Sequence, residues 1–328
     1  MILSMAYFYD AHEDKIAIAR QLGVGSAVIN ASRKGNAIPK EGWDFAQLEQ
    51  RVRMFTENGI KVNVIEGPTP FENCKLGLPG REQEIDTLHT LMAWMDRLDI
   101  RTLCYNWMPV IGWFRSRVDI KTRGGALVTG YKHEDMLDAP LTEAGIVTAD
   151  QMWDNLSYFL KAIVPAAERY GINLAIHPDD PPVPSLRGIA RILISAEALR
   201  RVLSLVPSPV NGVTLCQGCF TTMGEDPLEM IESFGREKKL FFAHFRDIRG
   251  NALDFQETFH DDGQSDMYAC MKAYYRIGFN GCIRPDHVPT MIGERNDHPG
   301  YSTMGNLYAV GYMRGLMTAA ERETQTGE

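Results

Sequence analysis

Arg169-Tyr170-Gly171-Ile172-Asn173-Leu174-Ala175-Ile176-His177 closes one helical pattern, turns on a glycine and climbs through an apolar run onto an imidazole. The same junction recurs as Gln21-Leu22-Gly23-Val24, Glu57-Asn58-Gly59-Ile60 and Arg276-Ile277-Gly278-Phe279. Arg97-Leu98-Asp99-Ile100 is a fifth copy with Asp in the glycine position. Glycine there ends a helix in the left-handed conformation, and the β-branched run behind it enters a strand. Units that alternate in this way build a parallel sheet.

Working outward, apolar runs predict strands at 2–8, 24–30, 61–66, 101–106, 172–177, 212–216, 240–246 and 282–287. Helical patterns fall between them at 11–22, 44–58, 82–98, 148–170, 195–206, 226–235, 265–277 and 303–322. Asp10 with Glu13, Asp44 with Gln47 and Thr148 with Gln151 have capping-box spacing at three helix starts. Ile85, Leu88, Leu91, Met92, Met95 and Leu98 make one helical face, with His89 beside it as a packing residue. Strict alternation points to a single (β/α)₈ barrel of the TIM type over 1–328. No G-x-G-x-x-G follows the first strand, which argues against a dinucleotide fold.

The chain has 328 residues, 45% hydrophobic and 23% charged, with a formal charge of -8. That composition supports a large core, and the acidic balance argues against a nucleic-acid partner. No apolar run is long enough for a bilayer, and Met1 to Asp10 lacks the basic start of a signal peptide. Six cysteines without secretory features imply reduced thiols and a cytoplasmic protein. Cys74, Cys104, Cys270 and Cys282 read as small apolar residues.

Long loops follow strands 4 (107–147), 5 (178–194) and 8 (288–302), all at the strand C-termini where such barrels carry active sites. The first is expected to act as a lid. At that same face, strands 5 to 8 end on His177, Cys216, His244 and Asp286. Singly, each is more often packed than metal-bound. Together they form a mixed N/S/O donor set for a divalent transition metal, and softness alone favours Zn²⁺ or Fe²⁺ over Mg²⁺. Cys216-Gln217-Gly218-Cys219 reads as C-x-x-C, but no second pair completes a zinc ribbon, so Cys219 is taken as incidental. His287 and Tyr301 are candidate acid and base groups. Arg115, Arg246 and Arg284 are candidates to grip a carboxylate, while Arg117 and Arg123 read as surface ion pairs.

Cys104-Tyr105-Asn106-Trp107-Met108-Pro109-Val110, His177-Pro178-Asp179-Asp180-Pro181-Pro182, Asn211-Gly212-Val213-Thr214-Leu215-Cys216, Arg284-Pro285-Asp286-His287 and Pro299-Gly300-Tyr301 resemble the mannonate dehydratases, members of the xylose-isomerase-like barrels. The match keeps motif order from about residue 100 to 315, and the first hundred residues match in architecture only. The strand-2 loop departs from the family's His-His-x-Pro-x-Gly-like stretch, reading Ile29 to Pro39 here. The resemblance implies dehydration of D-mannonate to 2-dehydro-3-deoxy-D-gluconate with Mn²⁺ or Fe²⁺, in a dimer. It implies Cys216, His244 and Asp286 as ligands, and His177 as a further ligand or substrate contact. His287 and Tyr301 fall on the acid/base pair, with Asn106 and Asp179 among the substrate contacts. Alternatives are a sugar isomerase or epimerase on the same barrel, a phosphodiester-cleaving metal barrel and a non-catalytic binding protein. Isomerases of this kind use several strand-end glutamates, and Glu66 is the one such residue here.

Overall fold

The computed structural model describes residues 1–9, 13–31, 44–67 and 71–326. The eight expected strands are present. They are β1 (Ile2–Leu3 and Met5–Tyr7), β2 (Ser26–Ile29), β3 (Lys61–Glu66), β4 (Thr102–Asn106), β5 (Asn173–His177), β6 (Asn211–Cys216), β7 (Leu240–Phe245) and β8 (Cys282–Pro285). Each pairs in parallel with the next. The barrel closes through β1. Its first piece pairs with β8 (Ile2↔Cys282) and its second with β2 (Met5↔Ala27). Between the pieces, buried Ser4 bonds Ser26 through the hydroxyls at 2.7 Å, carrying the strand from one neighbour to the other.

The junctions behave as their glycines require. Gly23, Gly59, Gly171 and Gly278 have φ of 64°, 73°, 62° and 65°, and Asp99 takes the same left-handed conformation at 54°. Thr148 and Gln151 form a complete capping box, and Asp44 accepts from the Ala46 and Gln47 amides. The Asp10–Glu13 pair and the divergent stretch 32–39 after β2 lie outside the described side chains. His89 bonds the Ala162 carbonyl and plays the packing part expected of it.

Alternation along the strands divides the core in two. Residues facing outward pack against the helices in one large cluster. Residues facing inward (Ala6, Val28, Val64, Cys104, Ala175, Phe242 and Cys282) plug the barrel.

Two features differ from the sequence reading. Short helices Glu72–Leu76 and Gln217–Met223 follow β3 and β6. The segment after β7 is a fourth long excursion, and it pairs with the one after β4. Strands Arg117–Lys121, Leu127–Lys132, Ile248–Asn251 and Asp254–Glu257 make a four-stranded antiparallel sheet over the barrel mouth. Tyr131, Ile248 and Phe255 from the two excursions share a buried cluster with Val183 and Leu186, a pairing across more than a hundred residues that no local pattern signals. The expected lid is therefore half of a two-part cover.

Candidate active site

Two residues beyond the inward layer, to which buried Thr214 contributes on β6, period two raises one more: Phe8, Asn30, Glu66, Asn106, His177, Cys216, His244 and Arg284. All but Phe8 are polar, and each is almost fully buried. A ring of this composition has no packing rationale, since buried polar groups cost stability unless they find partners. Asp286 stands two residues beyond Arg284, just past the end of β8.

Three of the four expected ligands (Cys216, His244 and Asp286) place donor atoms within 4.8 Å of one another. His177 joins them, with its Nε2 3.2 Å from His244 Nδ1. The tautomers follow from the outer partners. His177 Nδ1 donates to the Pro178 carbonyl at 2.6 Å, and His244 Nε2 faces Glu66 Oε1 at 3.0 Å. Both inner nitrogens thus turn lone pairs toward one another, which is repulsive unless a proton or a cation lies between them. Burial and Arg284 oppose protonation of His244, but Glu66 and Asp286 outweigh them and raise its pKa well above the ordinary value. A carboxylate in the position of Glu66 is what fixes the ring orientation of an imidazole that is to hold a metal. His177 also groups with Cys216 and Cys219, so Cys216 belongs to two donor triads, and imidazole, thiolate and carboxylate together suit a divalent transition metal.

The anions are pre-ionised. Burial would raise the Glu66 carboxyl, yet Arg284 and His244 hold it down at about 2. Asp286 is also kept well below the usual carboxylate range, with Arg284 and the two neighbouring imidazoles prevailing over burial. Burial likewise opposes ionisation of Cys216, but the Cys219 thiol, Arg246 and both histidines stabilise the thiolate. Cys219, read from sequence as incidental, is the hydrogen-bond donor in that pair. Cys216 caps the short helix 217–223, which brings Cys219 back beside it.

The arginines expected to grip a carboxylate are each engaged by buried acids. Arg284 forks onto Glu66 at 2.7 and 2.9 Å and reaches Asp286 at 2.7 Å. Arg246 bonds Glu257 and Asp180 and touches the sulfurs of Cys216 and Cys219 at 3.4 and 3.3 Å. Arg115 spans Asp180 and Glu257, with Nη2 3.3 Å from His287 Nε2. Asp179 accepts from the Leu193 amide, which orders the excursion after β5. Asn106 accepts from the Met108 amide and from Lys75 Nζ. Arg117 and Arg123 pair with Asp135 and Asp261 at the surface, as the sequence suggests.

His287 and Tyr301 complete the wall. His287 has a φ of 49°, a conformation unusual for a non-glycine residue, and it lets adjacent Asp286 and His287 both reach the pocket. Val288 pairs with Tyr301 through a bridge that folds the last loop back over the site. The Tyr301 hydroxyl donates to Asp286 Oδ1 at 3.3 Å, and its ring lies 5.6 Å from that of His287. Burial lowers the His287 pKa, giving a neutral imidazole whose Nδ1 has no hydrogen bond among the described residues. Burial and Asp286 raise Tyr301 well above the ordinary value, so its phenol keeps its proton. The space bounded by these residues and Trp113 is about 30 Å³, room for a cation and a water.

Sequence reading missed Glu66, Asp180, Cys219, Glu257 and Trp113 as members of this site. Counting the strand alternation through β3 would have found Glu66. Glu257 and Trp113 sit in excursions, where no periodicity marks them.

The profile of the D-mannonate dehydratase (UxuA) family matches residues 1–144 and 140–327, so the N-terminal third belongs to the match as well. Mannonate dehydratase 2 of Halalkalibacterium halodurans is 34% identical, over 97% of this chain and 99% of its own. Mannonate dehydratase of Thermotoga maritima is 32% identical, over 86% and 88%. The crystal structure of mannonate dehydratase from Streptococcus suis serotype 2 superposes with a TM-score of 0.90 at 29% identity, covering 99% of this chain and 95% of that one. A D-tagatose 3-epimerase-like protein shares the fold, with a TM-score of 0.66 at 13% identity over 99% and 100% of the two chains. With its whole length matched and its barrel superposed, the chain belongs to the D-mannonate dehydratase family.

Proposed function

We propose that this protein removes water from D-mannonate to give 2-dehydro-3-deoxy-D-gluconate, using a divalent metal held by His177, Cys216, His244 and Asp286. The observation that supports the reading is the Cys216, His244 and Asp286 donor triad, with His177 3.2 Å from His244, beside a neutral His287 and a protonated Tyr301. When bound, the metal supplies Lewis-acid stabilisation of charge developing on the substrate carboxylate. Mn²⁺ or Fe²⁺ suits the mixed donor set, and Zn²⁺ is the thiophilic competitor.

The chain's own residues divide the proton work. His287 accepts the C2 proton at its free imidazole nitrogen. Tyr301 gives its proton to the departing C3 hydroxyl, which leaves as water, and the resulting enol tautomerises to the 2-keto acid. Arg115, held by Asp180 and Glu257, orients His287. Arg246 and Arg284 are counter-ions that keep Cys216, Glu66 and Asp286 ionised, and Asp179 holds the loop over β5. The same proposal has the protein acting in the cytoplasm, as a dimer, on a small sugar acid. No described helix is long and apolar enough to cross a membrane.

Incubation of Mn²⁺-loaded protein with a panel of hexonates and pentonates, followed by an assay for 2-keto-3-deoxy acids, tests the reading. Product from D-mannonate is expected. Absence of product from every acid, with metal bound, would overturn it. Proton exchange at a substrate carbon without water loss would favour an epimerase.

A further inference from the structure

The space beside the metal donors, about 30 Å³, is too small for a six-carbon acid. On the other side of Trp113 lies a groove of about 590 Å³, bounded by Glu72, Lys75, Leu78, Asn106 and Trp113 among the described residues. Trp113 is the partition between the two. Its indole stands edge-on to His177 at 5.6 Å, with Nε1 3.4 Å from His177 Nδ1. Asn106 is the register partner of His177 across β4 and β5, so the groove opens directly beside the metal donors.

The groove floor is built from a buried charged pair. Lys75 is 3% exposed, and its Nζ contacts Glu72 Oε1 at 2.7 Å and Asn106 Oδ1 at 3.3 Å. Lys75 lines the groove, and besides these two oxygens its ammonium lies 4.8 Å from the centroid of the Phe71 ring. The other Glu72 oxygen accepts from the Val110 amide at 2.8 Å. Val110 has a φ of 65°, which a β-branched residue rarely adopts, and it lies three positions before Trp113. The lysine–glutamate pair therefore sets both the groove floor and the strained segment that carries the partition.

We propose that this groove is the subsite for the polyol tail of the substrate, with Lys75 as the residue that reads its distal hydroxyls. The inference rests on the dehydratase reading. His287 and Tyr301 stand on the β8 side of the metal donors and the groove on the β4 side. An acid reacting at C2 and C3 directs C4 to C6 across Trp113 toward Lys75, and Trp113 must swing aside to admit it.

The test compares D-mannonate, a pentonate and a tetronate on the Mn²⁺-loaded protein. Binding is read from the Trp113 fluorescence difference against Trp113→Phe, and turnover from keto-acid release. Lys75→Met should weaken D-mannonate binding and raise its KM roughly 10–100-fold, the loss expected for a hydrogen bond to a charged group, while the tetronate changes little. Leu78→Trp, at a rim position that is 46% exposed, narrows the groove without touching the buried pair and should penalise the same long acids. Equal losses for all three chain lengths, or none in either variant, would overturn the subsite even if water loss proceeds. Length-dependent binding abolished by Lys75→Met, with no keto acid formed, would instead retain the subsite and overturn the dehydratase.

Discussion

Replacing Arg284 by Met separates a counter-ion from a substrate grip. The guanidinium is 1% exposed and carries three short ion-pair contacts, two to Glu66 and one to Asp286. Methionine keeps much of the stem but leaves two buried carboxylates without that cation. Breaking a buried pair from one side costs roughly 3–5 kcal/mol. At roughly 2 °C per kcal/mol for a chain this long, the metal-free melting temperature should fall by roughly 6–10 °C. Because Asp286 is also a proposed metal donor, a bound dication replaces part of the missing charge. Mn²⁺ should therefore raise the melting temperature of the variant by more than that of the parent. Differential scanning fluorimetry on chelator-treated and Mn²⁺-loaded samples reads both quantities. An apo variant within about 1 kcal/mol of the parent, whose only defect is a raised KM for the sugar acid, would refute the reasoning. It would also restore Arg284 as a carboxylate clamp.

Cys216→Ser should lower metal affinity by more than the roughly 10–100-fold typical of an outer-shell change, and should abolish the thiolate-to-metal charge-transfer band of the Co²⁺-substituted protein. An unchanged band would remove Cys216 from the ligand set. His287→Gln and Tyr301→Phe should each cut kcat by roughly 10²–10⁴ while metal content measured by elemental analysis stays at one equivalent per chain. Loss of metal in either variant would make it structural. His260 is fully buried and bonds the Phe245 carbonyl at 2.7 Å, and burial takes its pKa from 6.5 to about 4. The unfolded chain binds the extra proton between those values, so His260 leaves stability intact above about pH 6.5 and erodes it toward pH 4, by roughly 3 kcal/mol in all. Denaturant titrations of wild type and His260→Asn across that range should differ in slope, and parallel curves would contradict the assignment.

How far the site could be read from sequence depends on where each residue sits. His177, Cys216, His244 and Asp286 stand at the ends of strands whose apolar runs are local signals, with a glycine junction before β5 and β8, so barrel geometry brings them together. Asp99 taking the glycine conformation shows the same local rule at work. Glu66 obeyed that rule too, and its role in orienting His244 emerges once the inward layer is counted around all eight strands. Cys219 needed the short helix after β6, whose start on Cys216 is not marked by an ordinary capping side chain.

Residue types, the two-residue period of strands and the left-handed junctions determined the barrel, its mouth and the donors at its rim, because each acts over a few neighbouring positions. Tertiary structure alone decided the charge pairing. Arg115, Arg246 and Arg284 look alike in sequence, but Glu257 and Asp180 arrive from distant excursions to claim the first two, and Glu66 claims the third across the barrel. A buried guanidinium goes to the carboxylates that reach it through space, and that distance is set by how the cover sheet and the strands close on one another.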